Sequence, residues 1–157
     1  MKTADLVDLH DEKVRFCDVP FRLYGRKRIF SGPISTIRCF EDNALIRTAL
    51  ESPGRGRVLV VDAGGSTRCA VVGDMLAEFG RASGWAGLVL YGCIRDSVEI
   101  QNMDFGVMAI GTSPKKSTKT RSGFVDVPLA FGDVEFVPGQ YVYADDDGVL
   151  VSREKLV

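Results

Sequence analysis

The stretch that most constrains the fold of this chain is its middle, residues 58–96. Two short apolar runs rich in β-branched residues, Val58–Val61 and Gly87–Leu90, predict buried strands. Between them, Asp74–Ser83 carries apolar side chains at helical spacing on one face, which predicts a helix. A strand–helix–strand unit of this size favours a right-handed crossover between parallel strands. The sequence therefore predicts an α/β fold with a parallel core.

The segments on both sides of this unit predict further helices and strands. Thr3 is a good N-cap for a short first helix, and Asp42 or Asn43 is expected to cap a helix that runs to about Leu50. Ile34–Phe40 alternates apolar and polar residues, as a half-buried strand does. Later runs with β character, separated by turn residues, are Val107–Ile110, Phe124–Val127, Val134–Val137, Tyr141–Ala144 and Val149–Ser152.

Length and charge exclude several classes of protein. A chain of 157 residues and 17.1 kDa predicts a single domain covering residues 1–157. The net charge of −1 gives no reason to expect direct binding of nucleic acid, which usually requires a basic surface. No apolar run approaches the ~18 residues that a membrane-spanning helix needs, so no membrane association is expected. The N-terminus lacks the apolar stretch of a signal peptide, which predicts a cytoplasmic protein.

Cysteine and histidine usage limits the chemistry further. None of the four cysteines lies in a CxxC pair, so they are interpreted as small buried apolar residues rather than zinc ligands. Cys93 lies beside the candidate site described next, which leaves a reactive thiol as the alternative. The single histidine, His10, argues against a serine–histidine–aspartate triad and against a multi-histidine metal site.

Polar residues follow both predicted strands of the central unit. Ligands of parallel sheets usually bind beyond the carboxyl ends of the strands, so Asp62–Ser66, Asp74, Arg95 and Asp96 are expected to surround one pocket. Two carboxylates suit Mg²⁺ or Mn²⁺, and an arginine offers a planar fork to a carboxylate or phosphate. Helix amides near Gly73–Leu76 would add donors for an anion. The alternative is that Asp74 is an N-cap and Arg95–Asp96 a surface pair.

Two other segments resemble ligand motifs less closely. The run VLVVDAGGS at residues 58–66 is similar to the opening of a nucleotide or S-adenosylmethionine site, but the third glycine of G-x-G-x-x-G is absent and Ala63 intrudes. The run Asp145–Gly148 lacks the twelve-residue spacing of a calcium loop. Because strands are predicted on both sides of it, a tight hairpin turn is the better interpretation.

Several longer motifs strongly resemble the RraA-like family, which contains regulators of ribonuclease E activity and class II 4-hydroxy-4-methyl-2-oxoglutarate aldolases. The matching segments are CFEDN (39–43), GRGRVLVVDAGGS (54–66), GDMLAE (73–78), GWAGLVLYGCIRD (84–96), VPG (137–139) and YADDDG (143–148). The resemblance implies the swivelling β/β/α fold of that family and assembly as a homotrimer with sites near the subunit interfaces. In such a trimer, Arg22, Arg26 or Arg28 is expected to lie against acidic groups of the next subunit.

The aldolase-type members of the family are marked by D-x20-R-D, which Asp74, Arg95 and Asp96 satisfy. By that resemblance, Asp96 coordinates the divalent metal directly and Asp74 holds a metal-bound water. Arg95 would bind the pyruvyl part of the substrate. The loop residues that would bind it together with Arg95 are Gly73, Asp74, Met75 and Leu76.

The resemblance implies a metal-dependent lyase that acts on short 2-oxo acids. Its reactions would be retro-aldol cleavage of 4-hydroxy-4-methyl-2-oxoglutarate and decarboxylation of oxaloacetate, both through pyruvate enolate. The chain ends at Val157, without the C-terminal extension of the longer aldolases, so the identity of the aldol substrate is left open. The alternative function is a regulator that binds and inhibits a ribonuclease E-type protein or an RNA helicase.

Overall fold

Twelve strands and four helices make up the fold in this computed structural model, which describes residues 1–157. The strands are β1 (Val14–Cys17), β2 (Arg22–Leu23), β3 (Ile29–Arg38), β4 (Val58–Asp62), β5 (Ala70–Val72), β6 (Gly87–Ile94), β7 (Gly106–Thr112), β8 (Phe124–Val125), β9 (Leu129–Phe131), β10 (Val134–Phe136), β11 (Tyr141–Asp145) and β12 (Gly148–Ser152). The helices are α1 (Thr3–His10), α2 (Ala44–Glu51), α3 (Asp74–Ala82) and α4 (Ser97–Gln101).

The predicted strand–helix–strand unit forms the centre of the main sheet. The strands of this sheet follow the order β1-β12-β11-β3-β4-β6-β7-β2. The pairs β3–β4, β4–β6 and β6–β7 are parallel, whereas β1, β2, β11 and β12 pair antiparallel. The parallel core is therefore confirmed, and β6 is longer than predicted because its second half pairs with β5 beyond the end of β4.

The two faces of the sheet are covered by different layers. Leu59 and Leu88 point to one face, where they belong to a core shared with helices α2 and α3. Val60 and Val89 point to the other, where they share a core with Phe136 and the rest of the β9–β10 hairpin. Side chains alternate along each strand, so a strand buried on both faces is apolar throughout. The order of hairpin, sheet and helices agrees with the predicted β/β/α architecture.

Some strand boundaries differ from the sequence prediction because they depend on pairing with strands that are distant in the sequence. The strand predicted as Ile34–Phe40 is β3, which begins at Ile29 and ends at Arg38. Its first half pairs antiparallel with β11, and its second half, from Ile34, pairs parallel with β4. Four short strands, β1, β2, β5 and β9, were not predicted. Each depends on a partner strand for its hydrogen bonds, and the local pattern does not specify that partner.

The first helix begins one residue earlier than predicted. Thr3 lies inside α1, so its assignment as the N-cap is wrong, and the N-cap is Lys2. The backbone N–H and the hydroxyl of Thr3 both donate to the buried carboxylate of Asp145, each at 2.7 Å. Asp145 pairs with Gly148 at the end of the β11–β12 hairpin, which confirms the turn interpretation of Asp145–Gly148. This aspartate fastens the N-terminal helix to the hairpin.

The polar loop after β7 is held against the start of α2 by a second buried aspartate. Asp42 is 1% exposed. Its carboxylate accepts hydrogen bonds from Thr118 Oγ1, Thr120 N and Oγ1, Arg121 N and Ala44 N. Burial by itself raises the pKa of Asp42, but these hydrogen bonds outweigh it and hold the pKa at about 2, below the ordinary 3.8. Asp42 thus anchors this loop at its centre.

We expect Asp42→Asn to lower the free energy of unfolding by about 2 kcal/mol at pH 7, because a pKa difference between folded and unfolded states is a stability difference. The folded-state pKa is lowered, so this stability is present above pH 3.8 and is lost as the pH falls towards about 2. Urea denaturation at pH 7 and at pH 2 measures the free energy of unfolding of both proteins. The difference between the variant and wild type should become smaller at the lower pH. Asp126→Asn, at an exposed aspartate, is the control and should cost little. An Asp42→Asn variant as stable as this control at pH 7 would contradict the prediction.

The structure also shows the surroundings of the four cysteines and of Arg28. All four cysteines are free and buried, as predicted. Burial raises the pKa of the Cys93 thiol, which argues against the alternative of a reactive thiol. Arg28 forms an exposed ion pair with Asp146 of its own chain. The homotrimer stays a prediction. No helix is both long and apolar enough to cross a membrane.

Candidate active site

The carboxyl ends of two neighbouring parallel strands bring the predicted site residues together. β5 and β6 are paired up to Val72 and Ile94, and Arg95 N donates to Val72 O at 3.0 Å. Asp74 begins α3 two residues after β5 ends, and Asp96 follows β6 by two residues. Asp74 is separated from the adjacent pair Arg95 and Asp96 by 20 intervening residues in the sequence. The fold nevertheless brings all three residues to one edge of the sheet.

Asp74 and Asp96 are in direct contact. The backbone N–H of Asp74 donates to Asp96 Oδ2 at 3.1 Å. Burial raises the pKa of Asp74, and hydrogen bonding to the Asp96 carboxyl group and its charge raise it further, against a lowering contribution from the Met75 amide. Glu99, on α4, adds more negative charge nearby. Neither aspartate forms an ion pair within the chain, so a bound divalent cation would relieve the repulsion between their negative charges.

Asp96 is held in an unusual backbone conformation. Its φ of 57° and ψ of 42° are left-handed, a region that few residues other than glycine, asparagine and aspartate enter readily. Its carbonyl accepts the Ile100 N–H at 3.0 Å, so it caps α4 through the main chain. Backbone strain of this kind often occurs at functional sites, where the fold fixes the direction of one side chain. Here it fixes the direction in which the Cα–Cβ bond of Asp96 leaves the main chain.

The remaining predicted residues differ in how they face the site. Gly73 is the N-cap of α3, so the alternative that Asp74 is the N-cap is wrong. The Met75 side chain is 50% exposed, whereas Leu76 is buried in the core, so Leu76 can offer a ligand only its main chain. Arg95 is half-buried and forms no ion pair within the chain. Its guanidinium group is available to an anionic ligand.

The first polar loop, Asp62–Ser66, packs against two aromatic rings, and no hydrogen bond joins it to Asp74, Arg95 or Asp96. Asp62 turns the loop back by accepting the Gly64 N–H at 2.8 Å. A Cβ atom on Gly64 would lie 2.7 Å from the Phe40 ring, and one on Gly65 would lie 2.9 Å from the Tyr91 ring. The glycines are thus required by two aromatic rings packed against the loop. β5, which the prediction missed, carries the chain from this loop to the site.

No group of three or more histidine, cysteine, aspartate or glutamate side chains is arranged to hold a metal ion. The candidate site offers two neighbouring carboxylates, with Glu99 as an acidic neighbour that sequence reasoning missed. The spacing Asp96-x-x-Glu99, which puts Asp96 at the N-cap of α4 and Glu99 in its first turn, is the signal that could have found it. A cavity of about 1340 Å³ lies away from these residues, between β1, β12 and the β9–β10 hairpin. The Lys13–Glu154 ion pair is part of its lining, and none of the predicted site residues is.

Comparison with known proteins identifies similar chains. Residues 3–151 match the family model described as RraA-like, Aldolase/RraA. A relative from Aromatoleum aromaticum, named "Putative 4-hydroxy-4-methyl-2-oxoglutarate aldolase", is 53% identical over 99% of this chain and 98% of its own length. Two solved structures are also similar over almost the full length. One, from Geobacillus kaustophilus HTA426, is described as an S-adenosylmethionine: 2-dimethylmenaquinone methyltransferase (54% identity, TM-score 0.97, 99% and 97% coverage).

The other solved structure, from Thermus thermophilis, is described as the RNA-processing inhibitor RraA. It shares 43% identity with this chain and superposes with a TM-score of 0.95, covering 100% of this chain and 95% of its own. Both superpositions confirm the predicted fold class. The three relatives carry three different functional names on one fold, so the names alone do not decide the activity.

Proposed function

The chain belongs to the RraA-like family, and on that basis we propose that it is a divalent-metal-dependent carbon–carbon lyase acting on short 2-oxo acids. Its reactions are retro-aldol cleavage of 4-hydroxy-4-methyl-2-oxoglutarate to pyruvate and decarboxylation of oxaloacetate. The observation that carries the proposal is the 3.1 Å hydrogen bond from the Asp74 backbone N–H to Asp96 Oδ2, which brings two acidic residues together beside an arginine without an ion pair. Carboxylate oxygens are the ligands that Mg²⁺ and Mn²⁺ prefer.

The donor set of the site fits such an ion. Mg²⁺ is usually held by one or two protein carboxylates and keeps several waters, so a cluster of three acidic ligands is not required. Burial raises the pKa of Asp74, and the neighbouring Asp96 carboxyl group raises it further; a bound cation would favour the ionised form of both groups. Asp96 would hold the ion and Asp74 one of its waters. When bound, a divalent ion supplies Lewis acidity to the 2-keto and carboxylate oxygens of the substrate.

The protein's own residues have separate parts in the proposed reaction. Arg95 binds the substrate carboxylate through its planar fork and stabilises the negative charge of the pyruvate enolate that bond cleavage leaves. Main-chain N–H groups in the first turn of α3 orient the pyruvyl part. In retro-aldol cleavage, a water positioned by Asp74 takes the proton of the 4-hydroxyl group. Oxaloacetate loses CO₂ without needing that proton transfer.

Two other functions follow from the names of the relatives. The inhibitor from Thermus thermophilis supports a second candidate, a regulator that binds an RNA-processing protein. That function would use the outer surface, so Asp96→Ala should leave it intact while it abolishes lyase activity. The methyltransferase name has less support in this chain, because the rings of Phe40 and Tyr91 pack against the glycine loop that resembles a nucleotide site.

The test of the proposal is the release of pyruvate from oxaloacetate, followed with a coupled dehydrogenase. Turnover above the spontaneous rate is expected with Mg²⁺ or Mn²⁺, and none in excess chelator. The same assay with 4-hydroxy-4-methyl-2-oxoglutarate measures the aldol reaction. Absence of metal-stimulated pyruvate release from both substrates would refute the lyase function and favour the regulator.

The two reactions separate the roles of the two carboxylates. We expect Asp74→Asn to reduce aldol cleavage by a further 10²-fold or more relative to oxaloacetate decarboxylation, since general base catalysis contributes about 10²–10⁴-fold and only the aldol reaction needs the base. The kcat values for both substrates with saturating Mg²⁺ measure this difference. Equal losses in both reactions would show that Asp74 only places the metal.

A further inference from the structure

Gly73, which directly precedes Asp74, has a backbone conformation that does not require glycine. Gly73 has φ of −115° and ψ of −169°. This is extended backbone, which any residue adopts without strain. Glycine at this position must therefore be explained by what lies next to its Cα atom.

The neighbours of Gly73 are the side chains of the site itself. A Cβ atom built on Gly73 would lie 2.7 Å from Asp96 Oδ2, a separation that real Cβ atoms essentially never show. It would lie 3.5 Å from Arg95 Cγ and 3.6 Å from Arg95 Nε, which are ordinary contacts. The absence of a side chain at residue 73 is thus required by the carboxylate of Asp96.

Asp96 has little freedom to make room for such an atom. Its main chain is fixed on both sides, by the bond from Arg95 N to Val72 O and by the bond from Ile100 N to its own carbonyl, each 3.0 Å long. Only the side chain can turn away. That rotation would break the 3.1 Å hydrogen bond from Asp74 N to Asp96 Oδ2 and separate the two carboxyl groups.

We infer that Gly73 is a positioning residue that determines where the Asp96 carboxylate lies relative to Asp74. The sequence resemblance instead gave Gly73 a place in binding the substrate. The inference rests on the proposed function where it concerns metal, because Asp96 is the metal ligand only in that proposal. An added methyl group at residue 73 then weakens metal binding by displacing the ligand, although the methyl group itself lies outside the fold's core.

The first test is Mg²⁺ and Mn²⁺ binding to Gly73→Ala, measured by isothermal titration calorimetry without substrate. We expect affinity at least about tenfold weaker than wild type, the scale typical for residues that orient a metal ligand. Gly111→Ala is the matched control. A Cβ atom there would make only an ordinary 3.6 Å contact with Cys93 Sγ, and binding should be unchanged. Wild-type affinity in Gly73→Ala would overturn the inference.

The second test needs no metal and so separates this inference from the proposed function. In a double-mutant cycle followed by urea denaturation, Gly73→Ala should lower the denaturation midpoint of the wild-type chain but not that of Asp96→Ala, where the clash is absent. An equal decrease in both backgrounds would overturn the positioning role. If the wild-type chain binds no divalent ion, the lyase proposal fails, and this cycle still decides the role of Gly73.

Discussion

Replacing Asp96 by alanine is expected to abolish metal-stimulated pyruvate release while the chain stays folded. Asp96 contributes one of two neighbouring carboxylates at the edge of the sheet, and its Oδ2 atom accepts the Asp74 backbone N–H. A Lewis acid supplies several kcal/mol of charge stabilisation, and each 1.36 kcal/mol is a factor of ten in rate. We therefore expect kcat for oxaloacetate to fall by about 10²-fold or more. Coupled assays over a range of Mg²⁺ concentrations, with calorimetry of metal binding, measure both effects.

Asp133→Ala provides a matched control for this experiment. Asp133 also has a left-handed backbone, with φ of 63°, and lies in the turn between β9 and β10, away from the site. Both substitutions therefore place alanine in a left-handed conformation, at a cost of roughly 1–2 kcal/mol. Only Asp96→Ala should lose metal binding and turnover. Undiminished Mg²⁺-dependent activity in Asp96→Ala would remove this residue from the proposed metal site.

Arg95→Lys is expected to be severely impaired although the positive charge is kept. Lysine lacks the planar fork that binds a carboxylate through two parallel hydrogen bonds. A hydrogen bond to a charged group contributes about 1.5–3 kcal/mol, so kcat/KM should fall roughly tenfold to a hundredfold. Arg81→Lys is the control, because Arg81 pairs with Glu78 on the exposed surface of α3. Equal activity of the Arg95→Lys variant and this control would show that Arg95 does not bind the substrate carboxylate through two hydrogen bonds.

The architecture around the site was predictable because its signals are local. The apolar runs of β4 and β6 and the helical spacing of α3 repeat within a few residues, and burial on both faces of the sheet explains them. The position of Asp74, Arg95 and Asp96 at one edge of the sheet was also predictable, because the carboxyl ends of parallel strands lie at the same edge. The roles of these three residues stay predictions until they are tested.

Other features depend on contacts between distant residues and could not be predicted. β5 is three residues long and exists because β6 extends past β4 and offers it hydrogen bonds. The glycine loop after β4 turns towards Phe40 and Tyr91, which no spacing in the loop specifies. The loop after β7 is fixed by Asp42, more than 70 residues away in the chain. Hydrophobic periodicity carries no information about these partners.

The sequence by itself determined which segments form the parallel core and which three residues end on the same edge of the sheet. Only the tertiary structure decided how those residues touch. The Asp74 N–H meets the Asp96 carboxylate, and Gly73 leaves room for it. A local pattern sets which face of a strand or helix is buried, because burial follows the period of the backbone. Contacts of a few ångströms between loop residues depend on the path of the whole chain, and folding fixes that path.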